Sequence, residues 1–233
     1  MKKELLPTSD GSHTIYLPEL DETYHSRHGA ITESDYVYIR NGLEAVSTAG
    51  ESLDVLEFGF GTGLNALLTL LWAKEHGKKI RYLSVEKYPL TEDTWTKLNY
   101  GEELKAPADF EQLHKASWNQ WQELHPSFAL FKYDGDFLRF KSERDVDVLF
   151  YDAFAPSRQA DVWTKEYLEK AAESLKTGGV FITYCAQGEF RRNLKETGFE
   201  MQSLQGPPGK KEITRGVLKI EGRREKEDGR TER

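Results

Sequence analysis

The sequence predicts an α/β fold with a mostly parallel seven-stranded sheet, covered by helices on both faces. Three observations predict it. After residue 50, apolar runs of strand length alternate with helix-patterned segments. The first run, Leu53 to Leu56, leads through Gly59-Phe60-Gly61-Thr62-Gly63 into an apolar helical segment, Leu64 to Trp72. The last two runs are joined only by Gln205-Gly206-Pro207-Pro208-Gly209. That link is too short for a helical crossover, so the sheet should end in an antiparallel hairpin.

Strands are expected at 53–58, 80–85, 128–133, 146–151, 179–185, 199–204 and 212–220. Helices are expected at 63–76, 91–99, 109–122, 161–176 and 187–197. Thr177-Gly178-Gly179 stops one helix and starts a strand, and Gly198 ends the helix that holds Phe190 and Leu194. Residues 51–220 make the main domain. Residues 1–50 differ: Thr14-Ile15-Tyr16-Leu17-Pro18 and Tyr36-Val37-Tyr38-Ile39 read as short strands or edges. This segment reads as an appendage over the mouth of the sheet, with Tyr24, His25 and Ser26 in a lid. Residues 221–233 are almost all charge and should be a disordered tail. No internal repeat is present.

A chain of 233 residues is long enough for one full core. The single cysteine, Cys185, allows no intrachain disulfide and reads as a buried, inert thiol. The six histidines show no metal-ligand spacing, so no metal is expected. The apolar runs are far short of a membrane span, and Met1-Lys2-Lys3-Glu4 lacks the apolar stretch of a signal peptide. A cytoplasmic protein with no membrane partner is the simplest reading. The net charge of −7 argues mildly against nucleic-acid binding. Residues 187–220 run the other way, with seven basic residues (Arg191, Arg192, Lys195, Lys210, Lys211, Arg215, Lys219) against four acidic. That is a candidate phosphate-contacting patch or simply a solvated face.

Open α/β sheets bind ligands beyond the carboxyl ends of their strands. The first end carries the glycine turn, where bare backbone and a helix N-terminus admit close approach of a ligand. Its spacing is G-x-G-x-G, not the G-x-G-x-x-G of dinucleotide enzymes, and the acid Glu57 precedes it by two residues. The second end carries Glu86, which can accept hydrogen bonds from both hydroxyls of a ribose. The third carries Asp136, placed for an adenine amino group or for an ordinary turn. The fourth is Asp152-Ala153-Phe154-Ala155-Pro156, which delivers an acid suited to an amine substrate. Trp163, further on, suits either a substrate wall or the core.

The glycine turn with Glu57 resembles motif I of the Rossmann-like class I S-adenosylmethionine (SAM) methyltransferases. SAM carries a sulfonium and an ammonium, which tolerate a nearby acid that a pyrophosphate would not. The wider set is more specific. Glu57-Phe-Gly-Phe-Gly-Thr-Gly-Leu-Asn65, Glu86-Lys-Tyr-Pro-Leu90, Asp152-Ala-Phe-Ala-Pro156 with Trp163, and Gly209-Lys-Lys-Glu212 occur in one order. In that order they resemble the methyltransferase domain of the MnmC-type tRNA 5-methylaminomethyl-2-thiouridine biosynthesis proteins, over roughly residues 13 to 219. Val162, Ala153 and Ile213 stand where the family carries Met, Gly and Met.

The resemblance implies methyl transfer from SAM to the aminomethyl nitrogen of the tRNA wobble uridine. It implies cofactor binding by Glu57, Gly59, Gly61, Gly63, Asn65, Glu86 and Asp136. It also implies a catalytic, amine-orienting Asp152 and substrate contacts from Phe154, Pro156, Trp163, Lys210 and Lys211. The chain stops soon after the last strand and shows no second glycine fingerprint. A stand-alone methyltransferase without FAD is therefore expected, with another enzyme supplying the aminomethyl group. The rival readings are methylation of a small amine and a non-catalytic SAM-fold RNA-binding module.

Overall fold

The computed structural model describes residues 2–47 and 50–219. The charged tail expected at 221–233 lies outside the described residues. A small antiparallel sheet comes first: β1 (Glu4–Pro7), β2 (His13–Leu17) and β3 (Glu22–Thr23). A continuous helical segment follows, made of α1 (Ala30–Ser34), a π-helix (Asp35–Leu43) and α2 (Glu44–Val46). The main domain then runs β4 (Ser52–Phe58), α3 (Leu64–His76), β5 (Lys79–Glu86), α4 (Glu92–Trp95), α5 (Tyr100–Glu103) and α6 (Pro107–Lys115). It continues with β6 (Trp121–His125), β7 (Phe128–Asp134), β8 (Val146–Tyr151), α7 (Lys165–Ser174), β9 (Leu175–Thr183), α8 (Gly188–Glu196), β10 (Phe199–Gln205) and β11 (Glu212–Leu218).

The main sheet has the order β10-β11-β9-β8-β4-β5-β7-β6. The five strands from β9 to β7 in that order are parallel, and the hairpin β10–β11 and the edge strand β6 are antiparallel. The α/β class, the mostly parallel sheet and the closing hairpin are as the sequence predicts. The strand count is eight, not seven. Trp121–His125 pairs with β7 as a strand, and the helix expected at 109–122 ends at Lys115.

Two cores lie on opposite faces of the sheet. Val55, Tyr82, Leu130, Val148 and Phe150 meet α3 and the N-terminal helical segment on one face. Leu56, Leu83, Val85, Leu149 and Phe181 meet α7 and α8 on the other. The alternation within β4, β5 and β8 produces this, because successive strand side chains point to opposite faces. Each fully buried Leu or Val contributes about 1.5–3 kcal/mol.

Tyr36-Val37-Tyr38-Ile39 is helical, which corrects the strand expected there. Val37, Tyr38 and Ile39 are all buried, and the π-helix packs on β8, β9, β11 and α3. A Cβ on Gly42 would stand 2.8 Å from Ile182 Cγ2, so its bare backbone lets the helix sit on the sheet. Strand β9 starts at Leu175, before the Thr177-Gly178-Gly179 boundary, and the preceding helix covers only Lys165–Ser174.

Candidate active site

Strand β4 delivers the glycine turn to the carboxyl edge of the sheet. Gly59 has φ +97°, and a Cβ there would lie 2.8 Å from the Asp152 carbonyl oxygen. Two backbone bonds explain the closeness: Asp152 N–H donates to Phe58 O at 3.0 Å, and Gly59 N–H donates to Val85 O at 2.9 Å. The turn is therefore welded to the ends of β8 and β5. Gly63, at φ +74°, is the left-handed cap before α3.

A cleft of about 450 Å³ opens over this turn, within the usual range for a small-molecule site. Gly59, Gly61, Asn65, Glu86, Asp136, Asp152 and Phe154 all line it. They come from all four strand ends singled out in the sequence for ligand chemistry. The appendage contributes Leu17, Tyr24 and His25. The Tyr24 ring meets Phe154 edge-on at 5.0 Å, and its Cδ1 comes within 3.4 Å of where a Gly61 Cβ would be.

The carboxylates differ in how they are held. Glu86 accepts the Gly61 N–H at 2.9 Å on one oxygen and the Tyr88 N–H at 2.7 Å on the other. Burial raises its pKa, and these backbone donors partly offset the rise. Asp136 caps the short turn Phe137–Arg139 through Leu138 N–H and binds Lys87 Nζ at 2.9 Å and Tyr167 Oη at 3.0 Å. Burial pulls its pKa up, but the Lys87 and Leu138 bonds outweigh it and leave the group below the ordinary range.

Asp152 is held by side chains from two other elements. Tyr38 Oη donates to Oδ1 at 2.6 Å and Asn65 Nδ2 donates to Oδ2 at 2.8 Å. Burial raises its pKa, while His25, Tyr38 and Asn65 hold it down. His25 lies beside it, with Nε2 2.7 Å from Thr62 Oγ1, and burial lowers its pKa against the pull of the Asp152 carboxylate.

Other sequence candidates stand back from the cleft. Glu57 is fully buried beneath the turn, accepts a 2.6 Å bond from Ser84 and does not line the cleft. Burial raises its pKa strongly. A Cβ on Gly63 would meet His114 Nε2 at 2.9 Å, so this glycine answers to packing behind the turn. Trp163 is core: it packs on Tyr151 and Phe190, and its Nε1 donates to Phe154 O at 2.7 Å. Pro156 is absent from the lining. Lys210 and Lys211 line a shallower groove of about 390 Å³ beyond Tyr184, which borders both spaces. Lys210 binds Glu33 at 2.9 Å and lies 4.4 Å over the Tyr184 ring. Cys185 is buried at the edge of that groove, just past β9.

The basic stretch is largely used inside the fold. Arg191 pairs with Glu212, Lys219 with Glu200, and Arg215 binds Gln202 and the Asn41 carbonyl. Tyr38, Tyr167 and Tyr184 are site residues the sequence reading missed. Among the described residues, no group of His, Cys, Asp or Glu is placed to hold a metal, and no helix is long and apolar enough to cross a membrane.

Residues 108–219 match the family model described as S-adenosyl-L-methionine-dependent methyltransferase. The tRNA 5-methylaminomethyl-2-thiouridine biosynthesis bifunctional protein MnmC of Burkholderia thailandensis is 30% identical over 87% of this chain and 33% of its own length. The protein of the same name from Cupriavidus metallidurans is 29% identical over 91% of this chain and 33% of its own length. The chain thus spans about a third of the length of these relatives. The crystal structure of MnmC2 from Aquifex aeolicus superposes with a TM-score of 0.76 at 26% identity, covering 94% of this chain and 71% of that one. The resemblance to the MnmC methyltransferase domain read from the motifs is borne out.

Proposed function

We infer that this chain is a SAM-dependent methyltransferase of the MnmC kind. It methylates the aminomethyl nitrogen of 5-aminomethyl-(2-thio)uridine at the wobble position of tRNA, giving the methylaminomethyl nucleoside. The observation that carries the chemistry is the Asp152 carboxylate, braced by Tyr38 and Asn65 at the floor of a cleft that begins at the glycine turn. The family match and the named relatives support the substrate.

The residues fit SAM. The Gly59–Gly61 backbone leaves a cradle that side chains would fill, and Glu86 and Asp136 face the same space. Glu86 keeps acceptor capacity for ribose hydroxyls, since each carboxylate oxygen has a second lone pair. Asp136 is read as the adenine-side residue. When bound, SAM supplies an electrophilic methyl on a cationic sulfur.

Asp152 orients the substrate amine. A primary alkylamine resembles lysine, with a pKa of about 10.4, and only its neutral form attacks. A carboxylate alone would favour the cation. A nearby sulfonium disfavours a second cation, so the proton leaves toward water at the mouth. Aligning the reacting atoms supplies up to ~7–11 kcal/mol of the acceleration. Tyr24 and Phe154 form the aromatic wall against which the uridine base lies, and the appendage serves as the lid. Lys211 is read as a phosphate contact at the rim. A cytoplasmic location and a separate supplier of the aminomethyl group go with this reading.

The test is mass spectrometry of nucleosides after incubating tRNA that carries the aminomethyl group with SAM and the protein. The methylaminomethyl nucleoside is expected. Bound SAM with no change in that nucleoside would overturn the tRNA assignment.

A further inference from the structure

Among the described residues, Lys132 is the one buried lysine. It is 1% exposed, on β7, beneath the glycine turn. Its ammonium donates to the carbonyl oxygens of Leu113 at 2.8 Å and His114 at 2.9 Å, at the C-terminal end of α6. These are carbonyls that a helix end leaves without intrahelical partners, and a cation there also complements the negative end of the helix dipole. The same ammonium lies 5.0 Å from the centre of the Phe60 ring and 4.7 Å from the centre of the Trp118 ring. Phe60 stands between Gly59 and Gly61. His114 in turn meets the turn from behind, with Nε2 3.1 Å from Thr62 O. Burial lowers the His114 pKa to about 3, so the imidazole is neutral and its Nε2–H donates to that carbonyl.

We propose that Lys132 is a positioning residue for SAM: its charged ammonium fixes the end of α6 and the Phe60 ring, and through them the shape of the glycine turn. This rests on the SAM reading above. A buried lysine is costly, and an apolar residue would fill the same space without that cost. What it adds is charge-assisted donation to two carbonyls and attraction to two rings.

The device depends on pH. Burial lowers the Lys132 pKa to about 8. Of the groups packed around it, His114 from α6 is neutral at that pH, and Phe60 and Trp118 carry no titratable group. Ser84 is its neighbour on β5, and the Ser84 hydroxyl is bound to Glu57, whose pKa burial raises. Above pH 8 the ammonium becomes an amine and its hold on the turn weakens. Fold stability runs the opposite way. Between about 8 and the ordinary lysine value of about 10.4, the unfolded chain binds the proton that the folded chain lacks, so Lys132 makes stability rise with pH.

The experiment measures SAM affinity by calorimetry at pH 7 and pH 9.5 for wild type, Lys132→Arg and Lys132→Met. Titration of the ligand's own amine is common to all three and cancels in comparison. Wild type should lose several-fold more affinity over this interval than either variant, and Lys132→Met should be about ten-fold weaker at pH 7. Wild-type affinity in a folded Lys132→Met, or an equal alkaline loss in all three, would overturn the proposal. If neither variant folds, wild type alone decides. Thermal stability must not fall while affinity does, and a parallel fall of both would refute the role. Wild-type protein that binds no SAM at pH 7 would instead defeat the underlying reading.

Discussion

Asn65 Nδ2 donates to Asp152 Oδ2 at 2.8 Å, so the first turn of α3 and the end of β8 share one carboxylate. Tyr38 holds the other oxygen from the π-helix. Three elements far apart in sequence thus set one acid over the glycine turn. On the function proposed above, the arrangement ties the amine site to the methyl-donor site through a single side chain.

Tyr38→Phe removes one donor from this carboxylate and nothing else of size. A hydrogen bond to a charged group contributes about 1.5–3 kcal/mol, so turnover should fall by roughly ten- to a hundred-fold. SAM affinity should stay within about two-fold. The acid limb of the rate profile should move to higher pH, because the Tyr38 bond lowers the Asp152 pKa against the rise caused by burial. The sign for stability is opposite. A raised carboxyl contributes stability below its unfolded pKa and loses it as pH rises through the folded value. Protonating Asp152 therefore relieves the fold, and the acid loss of rate is not caused by this group unfolding the chain. A pH–rate series on both proteins checks this, and coincident profiles would remove Tyr38 from the site.

Glu86→Ala should weaken SAM binding by about ten-fold or more, from the loss of charge-assisted bonds worth roughly 1.5–3 kcal/mol. Part of the loss comes from the turn itself, since Glu86 receives the Gly61 N–H. Gln is no substitute: its amide nitrogen would face either the Gly61 or the Tyr88 N–H. Calorimetry with unchanged affinity in both variants would take Glu86 out of the cofactor site.

Gly59 and Gly77 make a controlled pair. Both have positive φ, +97° and +64°, so alanine costs about 1–2 kcal/mol of backbone strain at either. At Gly77 nothing lies within 4 Å of the new methyl, whereas at Gly59 the Asp152 carbonyl does, at 2.8 Å. Gly77→Ala should show only the strain in chemical denaturation and bind SAM normally. Gly59→Ala should be less stable than Gly77→Ala and should lose SAM binding. Equal behaviour of the two would mean that the approach of β4 to β8 is unimportant.

The strand ends were legible because strand–helix alternation and turn glycines are local signals. Asp152, Glu86 and the glycine turn follow from them. Tyr38 was not legible. Aromatic and β-branched residues in Tyr36-Val37-Tyr38-Ile39 read as strand, and only burial against β8 and β9 makes the segment helical. Trp121–His125 failed for the converse reason: among the described residues its ladder partner is the neighbouring β7, with β6 at the sheet edge, and its Trp and Leu spacing also suits a helix. Glu57 and Trp163 show a third limit. Position along the chain brings each near the cleft, but which side the side chain takes is decided by Ser84 and by the Phe154 carbonyl, which are distant in sequence or part of a loop.

Trp163→Phe tests the last of these. The change removes the Nε1 donor and leaves the Phe154 carbonyl without it, at a cost of about 1–3 kcal/mol. Stability should drop by that amount, while the KM for tRNA stays near wild type under conditions where the variant is folded. A large KM effect without a stability loss would return Trp163 to the substrate wall.

The two lysines of the β10–β11 turn should separate cleanly. Lys210 is bound to Glu33, whose side chain is only 9% exposed, and its ammonium covers the Tyr184 ring. Lys210→Ala leaves Glu33 short of its cation and should cost about 1–3 kcal/mol of stability, with little change in the salt dependence of tRNA binding. Lys211 makes no ion pair among the described residues. If it contacts a phosphate, Lys211→Ala should raise the KM for tRNA and reduce the slope of log affinity against log salt by about one unit. SAM affinity and thermal stability should not move. The measurements are tRNA binding across a salt series and a thermal melt for each variant. A full salt slope in Lys211→Ala would place the tRNA backbone elsewhere, and a reduced slope in Lys210→Ala would mean that tRNA draws Lys210 away from Glu33.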